Sequence, residues 1–225
     1  MIATRLELQE MVALLTSSER DRPARPAEMP SGGRGGARRL TLPGGKVIYL
    51  RKYLRGGLVR YFVRDRYLLR PERPVRELMV TERARAAGCP VAPVLAVCVE
   101  EALVGYRGWI VTEAVSGARA LVSALRERSR PEAGQLFASV GRAIRTLHRA
   151  GVYHVDLTGH NVLVTPEDKV RIVDFDRAVL ARPDEQTLAR PGLERFWRSM
   201  AKLGVDSSSA PAEEQRRWLS EGYDG

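Results

Sequence analysis

The spacing of apolar residues changes several times along the chain. Leu6, Leu8, Val12, Leu14 and Leu15 predict a short helix over 4–15. From 16 to 39 the apolar signal lapses. Ser17, Ser18, Pro23, Pro26 and Pro30, then Gly32, Gly33, Gly35 and Gly36, read as a mobile segment. Leu40 to Leu42 and Lys46 to Arg51 alternate as two strands around Pro43-Gly44-Gly45. Val75, Leu78, Met79 and Ala86 predict a helix over 74–88, with Gly88 where a closing glycine belongs. Val91 to Val99 and Gly108 to Glu113 read as strands, with a turn near Gly105.

The second half is patterned differently. Leu136, Phe137, Val140, Ile144 and Leu147 share one face of an amphipathic helix over 131–150, closed by Gly151. Asn161 to Thr165 and Lys169 to Phe175 form a hairpin pattern around Pro166-Glu167-Asp168. The tail, 190–221, reads as helical around Phe196, Trp197, Met200 and Leu203 and then fades. No internal repeat is visible. Strands with one helix precede a helix-rich half, so the expected fold class is α+β. The expected division is a short helix and flexible segment over 1–32, a sheet lobe over 33–115 and a mainly helical lobe over 116–225. A cleft between two such lobes is a natural ligand site.

Composition narrows the classes. The 225 residues suffice for one domain or two small lobes, and 44% are hydrophobic, enough for a packed core. The longest apolar run, Val91 to Val99, contains a proline and falls well short of the roughly twenty residues that a bilayer span needs. Arg5, Glu7 and Glu10 stand where a secretory leader would be uncharged. Cys89 and Cys98 are too few for a disulfide framework and lie in apolar surroundings, which predicts buried free thiols in a reducing, cytoplasmic setting. The net charge of +10 favours polyanionic company: nucleotide phosphates, an anionic membrane surface or nucleic acid.

The stretch 147–176 carries the chemistry. It contains His154-Val155-Asp156-Leu157-Thr158-Gly159-His160-Asn161, and thirteen residues after Asn161 comes Asp174-Phe175-Asp176. The pattern H-x-D-L-x-x-x-N followed by an acidic D-F-D resembles the catalytic loop and metal-binding segment of the protein-kinase-like superfamily. Phosphoryl transfer needs a carboxylate beside the acceptor hydroxyl and cations on the phosphate oxygens. Asp156 suits the base. Asn161 and Asp174, brought side by side by the hairpin, offer hard oxygen ligands suited to Mg²⁺. His154 is expected to be architectural, and His148 to sit at a helix end near the C-terminal dipole.

The first half supplies looser matches. Gly33-Arg34-Gly35-Gly36 answers to a linker or to a glycine-rich phosphate loop. The full G-x-G-x-x-G is not completed, because Arg38 stands at the third position. Arg51 and Lys52 end a strand, and alternation lets only one of them grip the nucleotide phosphates. The partner carboxylate is expected at Glu77, with Glu82 as the fallback. Thr112-Glu113-Ala114-Val115 is placed like the hinge that meets adenine.

No A-P-E segment of the protein kinases follows Asp174. The chain instead resembles the small lipopolysaccharide kinases of the Kdo/heptose family (Kdo is 3-deoxy-D-manno-octulosonic acid). The resemblance rests on Gly33-Arg34-Gly35, Leu50 to Leu58, Asp65 to Leu68, Arg76-Glu77, Gly88 to Pro93, Thr112-Glu113, Gly151 to Leu157 and Asp174-Phe175-Asp176-Arg177, and covers about 33–203. It implies a bilobal protein-kinase-like fold and transfer of the ATP γ-phosphate to a sugar hydroxyl, the 4-OH of Kdo on a lipid A precursor. In that family the strand cation is the arginine of L-R-x-Y, which points to Arg51. The chain departs from the family pattern at Arg38, Leu54 and Thr158-Gly159, positions that bear on the acceptor sugar more than on the reaction type.

Charge agrees with such an acceptor. Arginines 51, 55, 60, 64, 66, 70, 73 and 76 cluster within one short stretch, and arginine grips phosphate through two parallel hydrogen bonds. Leu58, Val59, Tyr61 and Phe62 are interleaved with them. The expected partners are therefore ATP, a Kdo-bearing lipid A precursor or another anionic glycolipid, and the anionic inner-membrane surface, to which the chain would attach peripherally. Nucleic acid is not expected, because no nucleic-acid-binding motif accompanies the charge. Two other readings stay open: a kinase of another small molecule or protein, and a non-catalytic nucleotide- or nucleic-acid-binding module.

Overall fold

The computed structural model describes residues 2–3, 37–53, 72–101, 106–204 and 210–225. The expected helix over 4–15, Gly33 and Gly35, arginines 55 to 70 with the apolar residues among them, and the turn at Gly105 lie outside the described residues. The chain forms two compact units, one drawn from 1–79 and 93–114, the other from 80–92 and 115–225.

The first unit is built on an antiparallel sheet of β1 (Ile2–Ala3), β2 (Ala37–Thr41), β3 (Val47–Lys52), β4 (Val94–Glu101) and β5 (Tyr106–Glu113), in the order β1-β4-β5-β3-β2. The turn joining β2 to β3 is tied by Leu42 N–H to Lys46 O at 2.8 Å. Alternation along β3 buries Ile48 and Leu50 with Leu95, Cys98, Trp109 and Val111 on one face. On the other face Tyr53, Val94, Val97 and Ile110 pack with Leu78 of helix α1 (Glu72–Ala86). With both faces covered, β4 and β5 read as nearly continuous apolar runs.

The strand expected from Val91 begins three residues later, at Val94. Pro93 has no N–H to donate to a ladder. Val91 instead makes a parallel bridge to Ile172 in the second unit, and Ile172 N–H donates to Pro90 O at 2.8 Å.

The second unit is organised on α3 (Arg130–Arg149), with α2 (Leu121–Leu125), α4 (Gln186–Lys202) and α5 (Ala212–Asp224). Helix α3 starts where Ser129 N–H donates to the Glu132 carboxylate at 2.8 Å, a capping box that satisfies an orphan donor. Its apolar stripe of Leu136, Phe137, Val140, Ile144 and Leu147 is buried in the main core. Two small sheets flank it. One joins β6 (Arg119–Ala120), β8 (Val162–Val164) and β9 (Val170–Ile172); the other joins β7 (Val152–Tyr153) and β10 (Val179–Leu180).

The tail does not fade. Helix α5 packs against α3, with backbone approaching backbone: a Cβ at Gly222 would lie 2.0 Å from Ala138 O. The contact needs the absence of a side chain, which hydrophobic periodicity does not register. Among the described residues no helix is long and apolar enough to cross a membrane.

Candidate active site

The loop carrying the H-x-D-L-x-x-x-N pattern is fixed at both ends by regular structure. At its start, α3 stops at Gly151, whose φ of +71° reverses the chain into β7. At its end, Asn161 enters β8, and the β8–β9 hairpin pairs Val162 with Ile172. Val173 N–H donates to Asn161 O at 2.9 Å, which extends the ladder by one step and sets Asp174 next to that pair. Inside the loop, Leu157 is buried, Leu157 N–H bonds His154 O at 3.2 Å, and Asn161 N–H bonds Thr158 O at 3.0 Å.

Two of the predicted residues are in contact here, and the third, Asp174, follows Val173, which is bonded to one of them. Asn161 Nδ2–H donates to the backbone carbonyl of Asp156 at 3.0 Å, so the amide clamps the segment that carries the carboxylate. This orients Asn161 Oδ1 away from that carbonyl. Asp174, exposed and one residue past Val173, has φ +66°, a left-handed backbone that Asp tolerates at a cost of roughly 1–3 kcal/mol. Among the described residues no group of three or more histidine, cysteine or acidic side chains is gathered to hold a metal; the Asn161 amide oxygen and the Asp174 carboxylate are hard donors of the kind that suits Mg²⁺.

His154 is a strut, as its place in the pattern implied. It is buried, its Nε2–H donates to Val173 O at 3.0 Å, and its ring lies 5.1 Å from that of Phe175. Burial holds its imidazole below the ordinary range, against the opposing pull of the Val173 hydrogen bond and of Asp174 and Asp156. It therefore stays neutral and joins the loop to the segment that leads into D-F-D. His148 is a buried helix-end residue bonded to the Tyr223 hydroxyl at 2.7 Å. His160 is exposed.

Helix α4 contributes a residue that sequence spacing did not reveal. Arg195 Nε–H donates to Asp156 Oδ1, an ion pair across thirty-nine positions. A cation on a later helix obeys no short motif.

In the first unit, β3 and α1 build a second constellation. Arg51 Nη2 lies 2.6 Å from both carboxylate oxygens of Glu77, which is only 3% exposed. The Tyr53 hydroxyl donates to Glu77 Oε2, and the Arg51 guanidinium stacks 5.0 Å from the Tyr53 ring. Lys52 turns to the other side and lies 5.3 Å over Trp109, its cross-strand partner. Alternation thus gives Glu77 to Arg51. Glu82 pairs with Arg85 of its own helix at 3.1 Å. Glu113 is exposed at the end of β5, with its N–H on Pro93 O at 3.0 Å, and Ala114 N–H follows onto Val47 O at 3.0 Å.

Comparison with known proteins places the fold and the family. Among solved structures the chain resembles a MAP kinase from Leishmania major, with a TM-score of 0.50 over 93% of this chain at 15% identity. The match spans 65% of that kinase, just under two thirds of its length. The fold is therefore α+β and protein-kinase-like. Curated relatives are closer in sequence. The 3-deoxy-D-manno-octulosonic acid kinase of Xanthomonas euvesicatoria pv. vesicatoria is 33% identical over 204 residues, covering 89% of this chain and 79% of the relative. The enzyme of that name from Stenotrophomonas maltophilia is 33% identical over 220 residues, covering 96% and 85%. That from Vibrio cholerae serotype O1 is 36% identical over 156 residues, covering 68% and 65%. The model of the lipopolysaccharide kinase (Kdo/WaaP) family matches residues 23–222, a span that holds both the Arg51–Glu77 pair and the loop from His154 to Asn161. This chain belongs to the lipopolysaccharide kinase (Kdo/WaaP) family.

Proposed function

We propose that this chain is an ATP-dependent kinase that phosphorylates the 4-hydroxyl of Kdo on a lipid A precursor. One observation carries the reading: Asn161 clamps the Asp156 backbone at 3.0 Å while the hairpin seats Asp174 beside it, in a member of a lipopolysaccharide kinase family. The names of the curated relatives support Kdo as the acceptor sugar, and the resemblance adds its 4-hydroxyl and the lipid A precursor.

The residues take the following roles. Asp156 accepts the proton of the acceptor hydroxyl. Asn161 and Asp174 hold Mg²⁺, which when bound neutralises charge on the transferring phosphate. Arg51, anchored by Glu77 and Tyr53, grips the nucleotide phosphates. Lys52 lies on the opposite side of its strand and takes no part in that grip. Gly33 and Gly35 cover the phosphates, and the backbone at Glu113 meets adenine. The arginines from 55 to 76 recognise the phosphorylated glycolipid and the anionic inner-membrane surface, where each cation gains about 1 kcal/mol. The chain works on the cytoplasmic side as a peripheral protein.

The test is chemical. Full-length protein is incubated with ATP, Mg²⁺ and a Kdo-bearing lipid A precursor, and the product is examined by phosphorus NMR. A new phosphomonoester at C4 of Kdo is expected. A phosphate at another hydroxyl, or no transfer to the glycolipid, contradicts the assignment.

A further inference from the structure

Helix α4 lays one face along the loop that bears Asp156. Gly192, Arg195 and Ser199 recur at spacings of three and four, so they stand on the same side of the helix. Each meets a different loop residue. A Cβ at Gly192 would lie 2.7 Å from His154 O, so glycine alone lets the helix come this close. Arg195 Nε–H reaches Asp156 Oδ1. Gly159 N–H donates to Ser199 Oγ at 3.3 Å. The helix follows the loop from its first residue to its sixth.

The loop itself brings no cation near Asp156. Leu157, Thr158, Gly159 and His160 include neither lysine nor arginine. The side chains of Arg195 and Asp156 are 43% and 30% exposed. A pair this open adds little to folding stability. Its geometry instead restricts the carboxylate, because a guanidinium is planar and presents its donors in a fixed fork.

We propose that Arg195 is the positioning residue for Asp156. Its Nε–H holds Oδ1 and fixes rotation of the carboxylate, leaving Oδ2 to meet the acceptor. The acceptor O–H gives its proton to Oδ2 as the hydroxyl oxygen bonds the γ-phosphorus. The bond from that phosphorus to the β,γ-bridging oxygen breaks, and its electron pair leaves with ADP. The inference rests on the kinase reading above and adds to it the group that aims the base. Loss of aim costs turnover more than binding, because a carboxylate free to rotate spends less time in the reactive geometry.

Two measurements on the full chain test this. The first needs no turnover. The Arg195 Nε–H resonance, identified by its loss in Arg195→Lys, is expected to move in Asp156→Asn; a resonance indifferent to that change overturns the proposal. The second is steady-state ADP release from Mg·ATP, with a Kdo-bearing lipid A precursor and separately with water as sole acceptor. Arg195→Met is expected to lower kcat by about 10- to 100-fold while leaving KM for ATP near the wild-type value. Arg195→Lys should restore part of the loss. In an Asp156→Asn background, Arg195→Met should add nothing, because the two residues act as one unit. A kcat for Arg195→Met within about twofold of wild type, or a full additional loss in the Asp156→Asn background, overturns the positioning role. Wild-type protein that is inert toward the glycolipid, yet releases ADP to water at a rate that falls in Arg195→Met, contradicts the acceptor assignment and supports the positioning role.

Discussion

His148 shows how one buried residue ties pH to stability. Burial pushes its imidazole down to about 4, partly opposed by Asp184, so the folded protein keeps it neutral. The unfolded chain takes up a proton as pH falls below the ordinary value near 6.5. The stability held by His148 is therefore complete above that value and is lost as pH falls toward about 4, at up to roughly 1.4 kcal/mol per pH unit. His154 is shifted in the same direction and adds to the trend. Urea unfolding between pH 7.5 and 5 should show the midpoint falling, with a shallower slope in His148→Gln. An equally steep slope in that variant contradicts the assignment. At this scale the sequence was informative where residues are close along the chain. Asp156 and Asn161 fall within one loop, and the hairpin pattern carries the chain from Asn161 to Asp174, so the Asn161–Asp156 contact and the Asn161–Val173 bond follow from local spacing. Arg195 reaches the loop from another helix, and Tyr53 joins Glu77 across a sheet and a helix. Neither contact has a local signature. The left-handed backbone at Asp174 was equally invisible, because nothing in D-F-D marks it.

Helices and strands were legible where periodicity and punctuation agree. The β2–β3 hairpin follows from Pro43-Gly44-Gly45 between alternating runs, and α3 from its stripe and closing glycine. The start of β4 was misplaced because Val91 and Ala92 are as apolar as the strand beyond them, while Pro93 decides where the ladder begins. Helix α5 was underrated for a different reason. Its contact with α3 depends on Gly222 over Ala138 O and on Gly141, where a Cβ would lie 2.1 Å from Leu219 O. The same contact makes a prediction. Gly222→Ala forces a methyl group onto the α3 backbone and should cost about 1–3 kcal/mol. The melting temperature should fall by several degrees. An unchanged melting curve contradicts the close packing of α5.

The whole chain carries a net charge of +10. Several described arginines are matched to acids, as in Arg119–Glu127, Arg130–Glu214 and Arg145–Asp184. Such exposed pairs contribute little to stability and help to keep the surface mixed in sign. Much of the arginine cluster that sequence singles out for the glycolipid lies outside the described residues. Family membership and fold agree with the strand-then-helix order of the chain. The central claim is that the loop at 156–161, with Asp174, carries out phosphoryl transfer. Its most direct test is turnover of Asp156→Asn beside wild type, with ATP binding and melting followed on the same samples. The account predicts a kcat lower by roughly 10²- to 10⁴-fold, with nucleotide binding and melting temperature retained. Turnover of the variant within a few-fold of wild type would contradict it.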